Sequence, residues 1–261
     1  MSASQYLVKE LRWTREVLGL TQEAWGERIH FSAKHVGAVE RGERAALPDY
    51  LASVDRAFGT ALMEFYRMFV TEELVPVWYR PFVEHEGRAS LLRVYHPLLV
   101  PGILQTEAYA RAVLQGYRFQ PDTVDAMLAT RLGRQEILRR RPDPCRLVAV
   151  LDEGVLHRRV GDAEVMRDQL KALVAACEQP HVRVQVVPFD AGAYVGLNGP
   201  LVLASVEGRS VGFLEGYLEG RLVESPEATT ELEGAWEAIR DYALPGNQSL
   251  ELIMRTAEKW T

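Results

Sequence analysis

Cysteine is scarce in this sequence: its 261 residues include only Cys145 and Cys177. The two stand too far apart for a Cys-x-x-Cys unit and have no companion ligands at metal spacing, which leaves two free, largely buried thiols as the expectation. Long apolar runs are missing as well. Stretches such as 98–100 fall far short of a membrane span, and the start Met-Ser-Ala-Ser-Gln-Tyr shows no basic region followed by an apolar one. No membrane partner is expected, and the expected location is the cytoplasm. Also lacking are the Gly-x-Ser-x-Gly, His-Glu-x-x-His and phosphate-loop signatures and any cysteine–histidine cluster. His157, followed by Arg158 and Arg159, has no nucleophile or carboxylate pattern beside it. The sequence therefore reads as a protein that is not an enzyme, with no catalytic residue, no cofactor and no metal.

A surplus of positive charge is absent too. With 30 Lys and Arg against 36 Asp and Glu, the net charge of -6 excludes a general nucleic-acid coat. The distribution is uneven, however. Residues 1–59 hold eight basic and eight acidic side chains, so the whole acidic excess lies in 60–261. Only the first segment is electrostatically suited to phosphate. A composition of 48% hydrophobic and 25% charged residues is that of a globular chain, and the length suits two domains rather than one.

The first segment carries helix punctuation at short intervals. Leu7, Leu11, Val17 and Leu18 make a helical apolar stripe that stops at Gly19. Thr21 offers an N-cap to a second helix with Trp25 and Ile29 inward, and Ser32 caps a third with Val36 and Val39 inward and Gly42 at its end. Pro48 opens a fourth helix carrying Leu51, Val54 and Phe58 before Gly59. A fifth, with Leu62, Phe65, Tyr66 and Phe69, runs to Pro76, which places the domain boundary near residue 75, between a helical domain at 1–75 and a second domain at 76–261.

Two short helices separated only by His30 and Phe31 have helix-turn-helix geometry, in which the second enters the major groove. The run Leu11-Arg12, Arg15, Gly19-Leu20-Thr21-Gln22, Ser32, Val36 and Val39-Glu40-Arg41-Gly42 resembles the xenobiotic-response-element (phage repressor and Cro-like) class, over roughly forty residues. Members usually have Ala where Gly26 stands and Gly where His30 stands. Histidine tolerates positive φ, and Gly26 should cost roughly 1 kcal/mol of helix propensity.

The face expected to point outward from the third helix comprises Ala33, Lys34, Gly37 and Ala38, after Ser32 and with His35 at the edge. Lys34 is suited to guanine O6 or N7, and Ala33 to a thymine methyl. The resemblance implies that Gln22 binds backbone phosphate, and Arg41 and Arg44, just beyond the third helix, are expected as further phosphate contacts by their position. Residues 1–75 are thus expected to bind double-stranded DNA, as a homodimer whose half-sites sit about one helical turn apart, and residues 76–261 to dimerise and to bind a partner or ligand. The alternative is a protein-interaction bundle whose Arg and Lys are solvated surface.

Beyond residue 76 the pattern changes to α/β. Helices are expected at 106–117 and 122–141, the second ending in a cluster of arginines. Strand 146–151, helix 163–177 and strand 182–187 form a right-handed parallel unit, and 200–206 with 211–214 make a hairpin about Glu207-Gly208-Arg209. Two last helices, 226–244 and 248–260, cover the sheet. The expected architecture is an all-α helix-turn-helix bundle followed by an α/β domain of about four strands.

Tyr95-His96-Pro97, Val100-Pro101-Gly102-Ile103-Leu104-Gln105-Thr106, Tyr109-Ala110-Arg111, Arg131, Arg134-Gln135, Leu151-Asp152-Glu153, Val187-Pro188-Phe189, Gly192 and Glu215-Gly216 resemble the C-terminal domain of WhiJ-like actinobacterial regulators. The resemblance implies an antitoxin-like regulator paired with a small BldB-like protein encoded nearby. Tyr95, Pro101, Gln105, Tyr109, Asp152, Glu153 and Glu215 are the candidate partner or ligand contacts. The same residues also suit structural work: Pro101-Gly102 a tight turn, Thr106 a helix cap, Asp152 and Glu153 a cap at a strand end. The alternative function is a one-component regulator that senses a small molecule at the carboxyl edge of its sheet.

Overall fold

Side-chain caps set the local structure of the first sixty residues. In the computed structural model, which describes residues 3–66, 79–117, 121–216 and 219–261, helix α1 spans Ala3–Val17, α2 Gln22–Ile29, α3 Ala33–Glu40, α4 Pro48–Phe58 and α5 Leu62–Phe65. Thr21 accepts from the Ala24 amide and Ser32 from the His35 amide, each satisfying one of the donors that a helix start leaves open. Asp55 does the same for the short α5, accepting from the amides of Leu62 and Met63 at 2.9 Å each. One core collects Leu7, Leu11, Trp25, Ile29, Val36, Val39, Leu51 and Val54, and Trp25 stacks on Phe58 at 4.2 Å.

The apolar stripe of α1 is shorter than the sequence suggests. Val17 and Leu18 are 63% and 48% exposed, because the helix outruns the bundle at its last turn. Phe69, Pro76 and the expected boundary at residue 75 lie outside the described residues. The chain divides into two compact units, 1–77 together with 114–130, and 78–113 together with 131–261.

The second unit is built on six strands rather than four. In chain order α6 (Arg80–Arg88) is followed by β1 (Leu91–His96), by α7 (Glu107–Gly116) and α8 (Pro121–Gly133), whose residues between 114 and 130 belong to the first unit, and then by β2 (Arg146–Asp152), the one-turn α9 (Gly154–His157), α10 (Ala163–Ala176) and β3 (Val182–Val187). The chain then forms β4 (Leu201–Val206), β5 (Arg209–Leu214), β6 (Arg221–Val223), α11 (Pro226–Arg240) and α12 (Gly246–Lys259). Strand order is β3-β2-β1-β4-β5-β6. The pairs β1/β2 and β2/β3 are parallel and the rest antiparallel, so β1 is where the sheet changes sense.

The two missed strands had physical reasons to be missed. β1 reads Leu-Leu-Arg-Val-Tyr-His, with an arginine in what proves to be a central strand. That charge is accommodated because Arg93 reaches Glu233 of α11 at 2.9 Å, and Glu233 also accepts from the Ser210 hydroxyl at 2.6 Å. β6 is three residues at the edge, too short for any periodicity. Glu207 and Gly208 alone form the hairpin turn, with φ of 51° and 79°, and Arg209 already belongs to β5.

Alternation along the strands sends Leu147, Ala149 and Leu151 to one core with Met166, Leu170, Leu173 and Ile253, and Val150 to another with Tyr95, Val187, Trp236 and Ile239. Helices α10 and α12 thus cover one face and α11 the other. The helix expected at 122–141 stops at Gly133. Arg134 turns inward in a 3-10 segment, Arg134–Leu138, and its guanidinium donates to both oxygens of Glu86 (2.6 and 2.8 Å) and to the Tyr79 hydroxyl (2.6 Å). Glu86 is buried, Arg134 keeps 20% of its side chain exposed and Tyr79 is half-buried, and burial pushes the Tyr79 hydroxyl pKa well up. Cys145 is buried and Cys177 half-buried, both as free thiols, and burial holds Cys145 up at about 11.

Candidate functional site

The turn between α2 and α3 rests on His30, which takes the left-handed conformation at φ 62° and ψ 37°. The Phe31 amide closes the turn on the Gly26 carbonyl at 2.9 Å, and the Phe31 carbonyl comes so near Gly26 that no β-carbon fits there. Gly26 is therefore a requirement of this turn, and the alanine usual in the resembling class would clash. The helix-propensity cost expected of it is offset by close packing.

Around the recognition-helix candidate α3, the sequence-selected residues fall into two groups. Ser32, Lys34, Arg41 and Arg44 are exposed, and Ala33 and Ala38 half-exposed. Lys34 and Arg44 have no ion-pair partner among the described residues. Gly37, expected on the outer face, is buried instead: Arg41 Nη1 and Gln22 Oε1 close over it, each 2.9 Å from where a β-carbon would sit. His35 packs as an aromatic, stacked on Tyr50 at 5.5 Å and edge-on to Phe31 at 4.8 Å; burial and the charge of Arg44 lower its pKa. Its ring is committed to the bundle.

Gln22 and Arg41 also have partners within the chain. Arg15 donates to both oxygens of Glu40 (2.5 and 2.9 Å) and to the Leu20 carbonyl (2.8 Å), while the Gln22 amide donates to Glu40 at 2.9 Å. Burial opposes the charge on Glu40, but hydrogen bonds from Arg15 and Gln22 outweigh it and hold the carboxyl below its usual range. The network fixes the start of α2 against the end of α3. Arg41 is held by Glu43 through two bonds of 2.7 Å, both side chains being 57% exposed. A phosphate approaching the Nε–Nη2 edge of Arg41 would have to displace that carboxylate.

The second-unit candidates separate just as cleanly. Tyr109 is fully buried and its hydroxyl accepts from the Val100 amide at 3.2 Å. Gln105, 5% exposed, donates to the Val100 carbonyl at 2.7 Å and accepts from Arg131 at 3.1 Å, and Pro101 is buried beside them. Gln135 caps the carbonyls of Gly102 and Gln105, and the buried Gln169 of α10 ties both Leu104 and Thr106. These side chains are used inside the fold to pin one loop. Gln169 betrays itself in sequence only as a polar member of the Met166, Leu170, Leu173 stripe.

Tyr95, Asp152 and Glu153 lie at the edge where β1, β2 and β3 end, and Glu215, just beyond β5, reaches only His96 there. Tyr95 hydrogen-bonds Tyr194 at 2.6 Å, and Tyr194 donates to Asp152 at 2.8 Å, whose other oxygen caps Gly154. Glu153 accepts from the Phe189 amide at 2.8 Å and lies 3.4 Å from His157, whose ring stacks on Phe189. Glu215 approaches His96 at 3.8 Å, but burial drops His96 to about 4, so the imidazole is neutral and accepts from the amides of Leu98 and Leu99.

What the sequence did not single out is the exposed apolar surface on this same edge. The loop between β3 and β4, anchored by Tyr194, presents Phe189, Val195 and Leu197 at 61%, 38% and 59% exposure; Tyr242 packs on Tyr194 at 5.7 Å and is itself exposed. Asp190 and Asp241 beside them are exposed. The available signal was three large apolar residues in a loop otherwise rich in glycine.

Among the described residues no group of His, Cys, Asp or Glu is placed to hold a metal, and no helix is long and apolar enough to cross a membrane. No curated protein and no solved structure matches the chain. Residues 79–255, well over half of it, match the family model described as Domain of unknown function (DUF5753), and to that family the chain belongs.

Proposed function

We propose that this protein is a sequence-specific DNA-binding transcriptional regulator, antitoxin-like, which acts as a dimer and whose second unit binds a small partner protein of the BldB-like type. The observation that carries the first half is the α2–turn–α3 pair: two capped helices, locked by Arg15, Gln22 and Glu40, present an exposed and unpaired Lys34 with Arg41 and Arg44 just beyond the helix end. Such a helix suits a major groove, with base contacts from its first half and phosphate contacts at its flanks.

The partner half is supported by the carboxyl edge. Its polar groups satisfy one another, from Tyr95 through Tyr194 to Asp152, while Phe189, Val195, Leu197 and Tyr242 stay exposed on an anchored loop. Exposed apolar residues grouped on an ordered surface favour a protein partner over a small polar ligand. Selection of duplexes from a random pool by the full chain tests the reading. An enriched motif whose binding weakens steeply with salt is expected, and binding without sequence preference refutes it.

A further inference from the structure

Helix α1 has two apolar faces. Leu7 and Leu11 enter the core at 2% and 1% exposure, whereas Tyr6, Trp13 and Val17 keep 41%, 56% and 63% of their surface open. At 3.6 residues per turn, positions 6, 13 and 17 fall on one stripe, about 120° round the helix from Leu7 and Leu11, and Tyr6 at its start also packs on Phe65 of α5 with ring centroids 5.3 Å apart. Isolated apolar residues on a surface need no explanation, but three large ones aligned on one helix do. Lys9 and Glu16, both exposed, run along the same face with Trp13 between them. They lie about 10 Å apart along the axis. Lys9 has no ion-pair partner among the described residues, and Glu16 holds Arg12 at 2.8 Å.

We infer that this face pairs with the same face of a second copy of the chain, α1 against α1, antiparallel about a two-fold axis level with residues 12 and 13. In such an interface residue i meets j and j meets i. Lys9 of each copy then comes level with Glu16 of the other, Trp13 meets Trp13 at the axis, and Tyr6 lies beside Val17. Lys9 and Glu16 lie on one flank of the stripe, and like flanks meet only in an antiparallel pair, so the charge pattern is self-complementary in that arrangement. One helix stripe covers less than the roughly 800 Å² per partner of a standard interface, so the dimer is a weak one in solution and is reinforced when both copies share one duplex. For that purpose the inference rests on the DNA-binding reading; its test does not.

Sedimentation of the full chain without DNA should show a monomer–dimer equilibrium in the micromolar range. Trp13→Asp should weaken it about 30-fold, the scale of a central tryptophan in an interface, with circular dichroism and melting unchanged because Trp13 is exposed. Lys9→Glu and Glu16→Lys should each weaken the dimer, and the double exchange should restore it. A wild-type chain that stays monomeric, a Trp13→Asp variant that dimerises like wild type, or a double exchange no tighter than the single ones would overturn the inference. Loss of duplex selection with the dimer intact would instead count against the DNA-binding reading alone.

Discussion

Phe31 and Gly26 fix each other's place: the amide of one is bonded to the carbonyl of the other at 2.9 Å, and the Phe31 carbonyl fills the space a side chain at 26 would need. The turn between α2 and α3 achieves its bend by a close approach of backbone to backbone, with His30 supplying the left-handed residue.

Two substitutions with opposite expected signs follow from that bend. Gly26→Ala should destabilise the first unit, by about 1–3 kcal/mol, as overpacking against rigid backbone does. His30→Gly should stabilise it by about 1 kcal/mol, since glycine enters the left-handed region without the β-carbon penalty. Thermal melting of both variants checks the pair, and a stabilised Gly26→Ala would show the turn to be built otherwise.

Lys34 and Arg44 should divide specificity from affinity. Lys34→Ala is expected to relax base preference at one or two positions at a cost of about 1–3 kcal/mol, whereas Arg44→Ala should weaken all duplexes alike and reduce the salt slope by about one. Anisotropy titrations on the selected duplex and on scrambled duplexes, at several salt concentrations, distinguish the two. If both variants bind every duplex as wild type does, α3 does not read DNA.

Glu43 holds Arg41 through two bonds of 2.7 Å between exposed side chains, so on the DNA-binding reading it would compete with phosphate for that guanidinium. Glu43→Gln should therefore bind duplex more tightly, by several-fold, and with a steeper salt dependence, because a freed guanidinium adds one phosphate contact. Equal affinity for variant and wild type would mean that Arg41 does not touch the backbone.

The acid limb of stability should depend on Glu40. Its carboxyl titrates below the ordinary glutamate value in the folded chain, so between the folded and unfolded pKa the unfolded state binds more protons and stability rises with pH. The contribution is complete above the unfolded value and is lost as pH falls through the folded one. Glu40→Gln should flatten this limb and lower stability at neutral pH by about 2 kcal/mol, since Arg15 loses its partner. Denaturant unfolding from pH 3 to 7 reads both effects; an unchanged slope would exclude Glu40 as the group responsible.

Phe189→Ser and Leu197→Ser test the partner surface. Both side chains are largely exposed, so folding should be unaffected while complex formation with the co-expressed neighbouring small protein weakens at least tenfold. Retained binding by both variants would move the partner site off this edge.

The sequence was most legible where one residue type has one local job. Thr21, Ser32, Pro48 and Gly59 sit at the helix ends their chemistry suits, and Trp25, Ile29, Val36 and Val39 enter the core their spacing implies. It was least legible where a distant partner changes a residue's meaning. Arg93 argued against a strand until Glu233, 140 positions on, supplied its counter-charge. Gly37 and His35 look like outward residues of α3, yet Gln22, Arg41 and Tyr50 cover them. Among the second-unit candidates, Tyr109 and Gln105 proved to be loop anchors, and the exposed Phe189 and Leu197 have no periodic signature because they lie on a loop.

The Arg134, Glu86 and Tyr79 cluster constrains how this chain can vary over descent. Losing any one member leaves a charge or a hydroxyl without its partner in a partly buried cluster, at a cost of up to about 3 kcal/mol for the ion pair, whereas exchanging the arginine and the glutamate together for apolar residues of similar volume can be nearly neutral. Single steps between those two solutions cross a deep trough. Related chains should therefore show all three residues or a wholly apolar replacement, with intermediates rare, and position 134 should co-vary with position 86 more strongly than with its own sequence neighbours.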